Sequence, residues 1–507
     1  MIKKNMMANL VGKLYTAGIS FLVLPIYLKY LGAESYGLVG IFGMIQAFAL
    51  LLDSGITPMV TREIAQMKGK INSANHLRNL LRTTEILFIG AGLVSFVVIY
   101  LSSSFIATGW LNANTLSSDI LIQGIVLMGV IVAFRFNVGL YGGAIMALEK
   151  QVSYNIALSI IATIKSLGAI YVLMYISNDI VSFFKFQILI SLLEFIVYRL
   201  MVARYMPSLE EKATFSLNVY KNNLHFIGGY SLSMIFVFIL LQSGNIVLSK
   251  ILSLSEFGYY TFAIAIVSVL QMAGGPLFQT ISPRLISTYA NDKENLSNFY
   301  HKACQSIAFL IIPAGLMLAI YSYEIILLWT HNQETTNHIY LIVSLLAIGT
   351  LLNLLATMPG QLQIADGRTK VMVYINAFSI LFVLPMNIIF GQLYGGVGVA
   401  LVWISLNILY LLTGIFLVHP QLLNENKSKW ILEDIVKPMI FVAIFLVLTK
   451  YVYLMLDIEK ISLNIIYMGV IFSISYIINI YSLALIKPEL ISLINRLKVK
   501  NAKTNTQ

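Results

Sequence analysis

The sequence predicts an all-α polytopic membrane protein with about fourteen transmembrane helices, and three observations support that fold class. The chain is 58% hydrophobic and only 11% charged, with a mean hydropathy of +0.84. Apolar stretches long enough to cross a bilayer follow one another from Asn9 to Ile486. The segments between them are short, so we expect no soluble domain.

A hydrocarbon core about 30 Å thick requires roughly 20 residues of helix. That length predicts spans at 9–31, 36–60, 83–103, 119–147, 152–176, 181–203, 225–248, 257–282, 303–323, 339–359, 371–392, 397–418, 438–456 and 462–486. The domains that follow are an N-terminal lobe of six helices, a C-terminal lobe of six, two extra helices and a basic cytoplasmic tail: 1–204, 225–418, 438–486 and 487–507.

The distribution of basic residues predicts the orientation of these helices. With the amino terminus inside, the cytoplasmic segments hold 24 of the 33 basic residues, and the external ends hold four. Lys and Arg concentrate in cytoplasmic loops, so we expect both termini in the cytoplasm. Lys13 interrupts the first apolar run, which favours a retained helix over a cleaved signal. The net charge of +11 is then a topology signal, and we expect no nucleic-acid partner.

No group of residues in the sequence favours an enzyme. The longest external loop, about 16 residues between Ser103 and Asp119, is too short for the catalytic loop of a glycosyl polymerase. The chain has no phosphate-binding Gly-rich loop ending in Gly-Lys-Ser/Thr. Its six histidines are scattered, and Cys304 is its single cysteine. We therefore predict a transporter without a metal or another cofactor.

Two segments at an offset of 221 residues resemble each other and indicate a repeated half. They are the segments 29–37 and 250–258, which share Lys, Leu and an aromatic residue followed by Gly. Each lies at a predicted external turn, before a helix that ends near an arginine, Arg62 or Arg284. Six helices separate the copies, so both halves insert the same way up. Such a parallel repeat is known in transporters that rock two bundles around a central site.

Five stretches carry a resemblance to a known family: PIYLKYLGAESYGLVGIF, LLDSGITPMVTREIA, SKILSLSEFGYYTFAIA, GPLFQTISPRLIS and LYGGVGVALVW. In order and spacing they resemble polysaccharide-unit (O-antigen) flippases of the Wzx/PST type, over residues 5 to 418. These belong to the superfamily of multidrug and toxic compound extruders (MATE) and the lipid II flippase. The resemblance implies two six-helix lobes in a bacterial inner membrane. It implies transfer of an undecaprenyl-pyrophosphate-linked oligosaccharide to the periplasmic leaflet by alternating access, beside a polysaccharide polymerase or assembly machinery.

Charged residues inside the predicted spans point to a substrate site in the first six helices. A charge at mid-bilayer costs about 2.5–3.5 kcal/mol, so each one needs a partner, water or a function. Helices seven to twelve contain no Asp, Glu, Lys or Arg within their spans. The first six hold Lys13, Asp53, Arg135, Lys165, Lys185, Glu194 and Arg199. Lys185 and Arg199 lie near span ends, where they can extend to the interface.

The charge balance supports a site for an anionic headgroup. Glu194 can neutralise Arg135 or Lys165, and Asp53 can neutralise Lys13, as structural ion pairs. One central cation then remains, and we predict that Lys165 or Arg135 receives the pyrophosphate. We expect Lys13, Arg62 and Arg284 to line the cavity and its cytoplasmic mouth, although positive-inside anchoring also explains both arginines.

Two functional questions stay open in the sequence. Asp53 and Glu194 can balance charge or carry a coupling ion, H+ or Na+. The alternative function is a multidrug or cation antiporter of the same fold, which would need an acidic cavity rather than this cationic one.

Overall fold

A computed structural model of the chain describes residues 2–67, 73–206, 213–221, 223–367, 369–423, 429–456 and 461–488. Most of the predicted tail at 487–507 lies outside these ranges. The α-helices are α1 (Ile2–Leu22), α2 (Leu24–Asp53), α3 (Ile56–Met67), α4 (Ser73–Phe105), α5 (Ser118–Ala147), α6 (Gln151–Tyr171), α7 (Ile180–Tyr205), α8 (Asn218–Lys221), α9 (Leu224–Ile251), α10 (Leu254–Asn291), α11 (Lys293–Ile320), α12 (Ser322–Thr330), α13 (Gln333–Asp366), α14 (Thr369–Thr413), α15 (His419–Leu422), α16 (Lys437–Leu456) and α17 (Ile461–Ser482). Four π-helical segments occupy Ile106–Trp110, Val172–Ile176, Gly414–Val418 and Trp430–Val436.

Twelve helical stretches in the described ranges are long and apolar enough to cross a membrane. The longest, Val373–Val418, has 46 residues. At about 1.5 Å per residue it would be roughly 69 Å long, far more than one span requires. It turns at Gly395, where a φ of 57° is accessible to glycine at little cost. It therefore contains two of the predicted spans.

The stretch Leu24–Asp53 is divided in the same way at Gly32, whose φ is 77°. Residues before Gly32 extend the helix that starts at Ile2, and residues after it begin the second span. The two glycine turns reconcile the twelve stretches with the prediction of about fourteen helices. The fold class predicted from hydropathy is confirmed.

The described part of the chain forms two compact units. The first comprises residues up to Phe262 together with Asn387–Gly395, and the second comprises Ala263–Met386 and the residues from Gly396 onward. Helices α10 and α14 contribute to both units. The division of the chain into lobes at 1–204 and 225–418 stays a prediction.

Helix α5 is the centre of the first unit, because α2, α3, α4 and α7 all pack against it. Its sequence suits that position, since its apolar and small residues surround the helix rather than forming one stripe. Helix α1 packs along α6, where Tyr15 and Thr163 share a hydrogen bond of 2.8 Å. This arrangement brings α5, α6 and α7 together around the residues of the predicted site.

The two repeated segments contact each other inside the first unit. A Cβ added at Gly37 would overlap the carbonyl oxygen of Leu254, and one added at Gly258 would overlap that of Ala33. Tyr36 packs edge-to-face on Phe262, with ring centroids 5.6 Å apart. The shared glycine therefore lets the backbones of α2 and α10 approach closely, which explains why the same position is glycine in both copies.

In the second unit, α11 carries the two extra helices. The segment before α16 places Asp434 against α11, with its Oδ2 2.5 Å from Nδ1 of His301. Gln305 donates to the other Asp434 oxygen at 2.8 Å and accepts from the Leu485 backbone N–H at 2.8 Å. Both extra helices are thus attached to the same two turns of α11 through buried polar groups.

Candidate functional site

Arg135 on α5 and Glu194 on α7 form a half-buried ion pair within the first unit. The Arg135 Nη1 lies 3.4 Å from the Glu194 Oε2, and the side chains are 39% and 13% exposed. Of the two partners that the sequence allowed for Glu194, the structure selects Arg135. A half-buried pair of this kind retains access for a ligand, because the arginine has donors that Glu194 does not use.

Lys165 on α6 belongs to the same cluster without pairing. It is half-buried, repelled by Arg135 and attracted by Glu194. Among the described residues, no carboxylate lies within 4 Å of its Nζ. Two cations therefore share one carboxylate, and the cluster carries a net charge of about +1. In a medium of low dielectric constant this surplus charge attracts anions far more strongly than it would in water.

Asp53 has a different environment from the predicted one. It does not pair with Lys13, which lies exposed on α1. Its Oδ1 instead accepts from Thr57, from the backbone N–H at 3.2 Å and from the hydroxyl at 2.7 Å. The physical reason is local geometry, because Asp53 ends α2 and Thr57 lies in the first turn of α3, whose backbone N–H groups need acceptors. The predicted ion pair between Asp53 and Lys13 is therefore wrong.

Arg62 lines a cavity of about 460 Å³ between α3, α5 and the start of α6. The cavity also has Thr57, Thr61 and Tyr154 in its walls. Tyr154 interacts electrostatically with both Arg135 and Glu194, so the cavity lies next to their cluster. The structure thus brings Arg62 into the neighbourhood of the predicted cationic site.

Arg284 lies in the second unit and is exposed on α10. Its guanidinium carbon is 5.1 Å from the centroid of the Phe299 ring, in a cation–π contact. Its predicted role at the cytoplasmic mouth stays a prediction.

Glu85, which lies inside the predicted span 83–103, is a further charged residue of the first six helices. Glu85 is 8% exposed and accepts from the Tyr141 hydroxyl at 2.5 Å. Arg82 and Arg199 approach its carboxylate to 2.9 and 3.3 Å. Arg199, which can extend to the interface from its place near a span end, is 55% exposed and also pairs with this carboxylate. The sequence contained a signal for these contacts, because a carboxylate within an apolar span needs a partner.

Polar residues of helices seven to twelve bond to one another instead of forming a charged cluster. The Asn353 amide donates to Asn407 at 2.7 Å, and Asn387 donates to Ser243 at 2.9 Å. Tyr410 donates to Asn376 at 3.1 Å. These contacts join neighbouring helices. Across the described ranges, no group of three or more His, Cys, Asp or Glu side chains is arranged to hold a metal ion.

Two sequence relatives carry descriptions that concern surface polysaccharides. The lipopolysaccharide biosynthesis protein WzxC of Escherichia coli K12 is 24% identical over 229 residues, 45% of each chain. The alignment thus spans less than half the length of that relative. A Shigella flexneri protein named "Putative O-antigen transporter" is 23% identical over 410 residues, 79% of this chain and 94% of that one.

Two solved structures with the same fold are described as a flippase and a transporter. The lipid II flippase MurJ, in an inward closed conformation, aligns with a TM-score of 0.67 and 16% identity over 93% of this chain and 97% of that one. An inward-facing multidrug resistance MATE family transporter of the MOP superfamily aligns with a TM-score of 0.65 and 16% identity, over 81% and 98%. These likenesses confirm the predicted MATE-like fold.

The relatives and neighbours described by an activity are transporters or flippases, which agrees with the prediction of a transporter rather than an enzyme. The family described as polysaccharide biosynthesis protein matches residues 2–289, more than half of the chain. The resemblance inferred from the five sequence motifs is thereby confirmed, and the chain belongs to the polysaccharide biosynthesis protein family.

Proposed function

We propose that this protein moves an undecaprenyl-pyrophosphate-linked oligosaccharide, such as an O-antigen unit, from the cytoplasmic to the periplasmic leaflet by alternating access. It acts in the bacterial inner membrane with both termini in the cytoplasm, and delivers its product to a polysaccharide polymerase or assembly machinery. The basic residues of the cytoplasmic segments support this orientation, and the descriptions of the family and the two relatives support a polysaccharide substrate.

The observation that carries the proposal is the cluster of two cations and one carboxylate formed by Arg135, Lys165 and Glu194. A surplus cation inside a membrane protein is costly and is retained for a function. A pyrophosphate supplies the missing negative charge and several acceptor oxygens. Arg135 can bind two of those oxygens at once, and Lys165 can follow the anion as a mobile point charge.

The other predicted residues have supporting roles in this mechanism. Arg62 attracts the headgroup toward the cluster, Arg284 adds positive charge at the cytoplasmic end of α10, and Lys13 adds positive charge to the cavity. Glu194 balances Arg135 while the site is empty. Asp53, which forms no ion pair within the described residues, is the better candidate to carry a coupling H+ or Na+.

The membrane potential favours the proposed direction. An interior-negative potential of 100 mV changes the energy of a unit charge by about 2.3 kcal/mol across the membrane. A doubly charged pyrophosphate headgroup is therefore helped outward even without an ion gradient.

A multidrug or cation antiporter is the second candidate, because a MATE family transporter shares the fold. Such a protein binds cationic compounds and needs carboxylates in its cavity. The cluster around Arg135 has the opposite sign. Resistance of expressing cells to cationic dyes distinguishes the two candidates, since the flippase proposal predicts no gain in resistance.

Export of the sugar unit in a strain deleted for this gene tests the proposal. We expect the double variant Arg135→Gln, Lys165→Gln to lose export by about tenfold or more, since each charge-assisted contact contributes roughly 1.5–3 kcal/mol. Lys185→Gln is the matched control, because Lys185 is exposed on α7 outside the cluster. Export is measured by immunoblotting the surface polysaccharide. The variants are compared at equal levels of the protein in the membrane. Normal export by the double variant would overturn the site assignment.

A further inference from the structure

The cavity beside the cationic cluster has features of a carbohydrate subsite. Its volume of about 460 Å³ falls within the usual range for small-molecule sites. We propose that it binds the sugar residue joined directly to the pyrophosphate, an assignment that rests on the proposed function. The cavity would then select among lipid-linked oligosaccharides by their first sugar.

Three glycines on one face of α5 create the space. Gly139, Gly142 and Gly143 follow the i, i+3, i+4 spacing of a helix face and line the cavity. A Cβ at Gly142 would lie 3.2 Å from the Tyr154 hydroxyl, and one at Gly143 would lie 2.6 Å from the Thr61 hydroxyl. At Gly139 the nearest atom is an Asp53 oxygen at 3.5 Å, so the backbone there is open to a ligand.

Four of the remaining wall residues carry polar groups that suit a sugar, and the other three, Pro58, Ala65 and Met146, supply apolar surface. The Thr57 hydroxyl donates to Asp53 at 2.7 Å, and the Thr61 hydroxyl donates to the Thr57 carbonyl at 2.8 Å. Both hydroxyl oxygens keep lone pairs that can accept from a ligand. Arg62 adds guanidinium donors. The half-buried ring of Tyr154 offers an apolar face for the C–H groups of a sugar and a polar end for its hydroxyls.

The position of the cavity matches the order of groups in the substrate. Gly139 and Gly143 follow Arg135 by four and eight residues, which places them about 6 and 12 Å further along the helix axis. A sugar attached to a pyrophosphate bound at Arg135 would fall in this interval. Tyr154 lies between the cavity and the Arg135 cluster, because it lines the cavity and interacts electrostatically with Arg135 and Glu194.

Binding of short-chain analogues to the full-length protein in detergent tests the subsite. The probes are farnesyl pyrophosphate and farnesyl pyrophosphate carrying glucose, galactose or N-acetylglucosamine. For the wild type we expect at least one sugar to improve the dissociation constant by about tenfold over the sugar-free probe. In Tyr154→Ala we expect this ratio to fall to about one. Tyr171→Ala is the matched control, because Tyr171 lies on the same helix and stacks on Tyr175 away from the cavity.

The outcomes separate the subsite from the proposed function. Equal binding of all four probes to the wild type, with tight binding of farnesyl pyrophosphate, would overturn the subsite and leave the flippase proposal standing. Failure of all four probes to bind would overturn both. An unchanged ratio in Tyr154→Ala would overturn the role of Tyr154, and an equal fall in Tyr171→Ala would show that the effect is not local to the cavity.

Discussion

The first six predicted helices and the next six contrast in their interior chemistry. The first set holds four cations and three carboxylates away from its external ends: Lys13, Arg135, Lys165 and Arg199, with Asp53, Glu85 and Glu194. The second set holds no charged residue within its spans, and its asparagines bond to neighbouring helices. Two halves that carry the same repeated motif thus differ in interior chemistry: the first has a surplus of cations that could bind an anion, and the second has uncharged polar groups that join helices.

The contrast predicts that the second half does not tolerate a charge. Asn407 is fully buried and accepts from Asn353 at 2.7 Å. We expect Asn407→Asp to destabilise the protein by about 2.5–3.5 kcal/mol, the cost of a charge inside the membrane. Thermal unfolding in detergent and the yield of inserted protein measure this effect. Asn407→Ser, which stays uncharged, is the control. Equal stability of Asn407→Asp and the wild type would break the contrast.

The repeated motif predicts the next largest effect. Gly37→Ala and Gly258→Ala each push a methyl group into a carbonyl oxygen across the contact. We expect each to cost about 1–3 kcal/mol, the usual range for overpacking. Gly43→Ala on α2 and Gly275→Ala on α10 are matched controls, because no atom lies within 4 Å of their added Cβ. The controls should be as stable as the wild type or more so, since alanine favours helix. Melting temperatures that do not separate the two pairs would contradict the close contact.

Glu85 tests whether every charge in the first half serves transport. In Glu85→Gln the Tyr141 hydroxyl, Arg82 and Arg199 lose a charged acceptor. Both arginines are largely exposed, so we expect a loss of only about 1–2 kcal/mol. Export at equal membrane levels should persist, because Glu85 lies outside the Arg135 cluster. Loss of export with a normal melting temperature would extend the functional region to Glu85.

Glu194 gives the smallest expected change in stability and an informative change in binding. Arg135 is 39% exposed, so breaking its ion pair should cost about 1 kcal/mol or less. Glu194→Gln also removes the carboxylate that competes with an anion. We therefore expect farnesyl pyrophosphate to bind several-fold more tightly, as measured by isothermal titration calorimetry. Weaker binding to Glu194→Gln would show that Glu194 orients the cations rather than competing with the ligand.

The fold could be predicted from the sequence because hydropathy, basic residues and the repeat act over whole segments. The turns at Gly32 and Gly395 fall between predicted spans, at the breaks 31–36 and 392–397. In the structure, helix resumes directly after each of these glycines. The need of Glu85 for a partner could also have been recognised from the sequence, because Glu85 lies inside the predicted span 83–103. The interaction of Asp53 with Thr57 could not be predicted, because it bridges the break between α2 and α3 at Ser54 and Gly55, inside a single predicted span.

The pairing within the candidate site could not be predicted, because it depends on how helices rotate against one another. Arg135 and Glu194 are 59 residues apart, and Lys165 lies between them in sequence. Arg135 and Lys165 lie at similar depths within their predicted spans, so depth made both of them possible partners for Glu194 and favoured neither. Tyr154 carried no signal either, since it is one of 28 tyrosines and only packing places it beside a glycine face.

The rate at which the purified protein moves a lipid-linked oligosaccharide across liposome membranes tests the central assignment most directly. We predict that the double variant Arg135→Gln, Lys165→Gln slows the initial rate by about tenfold or more relative to the wild type and to Lys185→Gln. The three proteins are reconstituted at equal density and the same membrane potential. Equal initial rates for all three would contradict the assignment of pyrophosphate binding to this cluster.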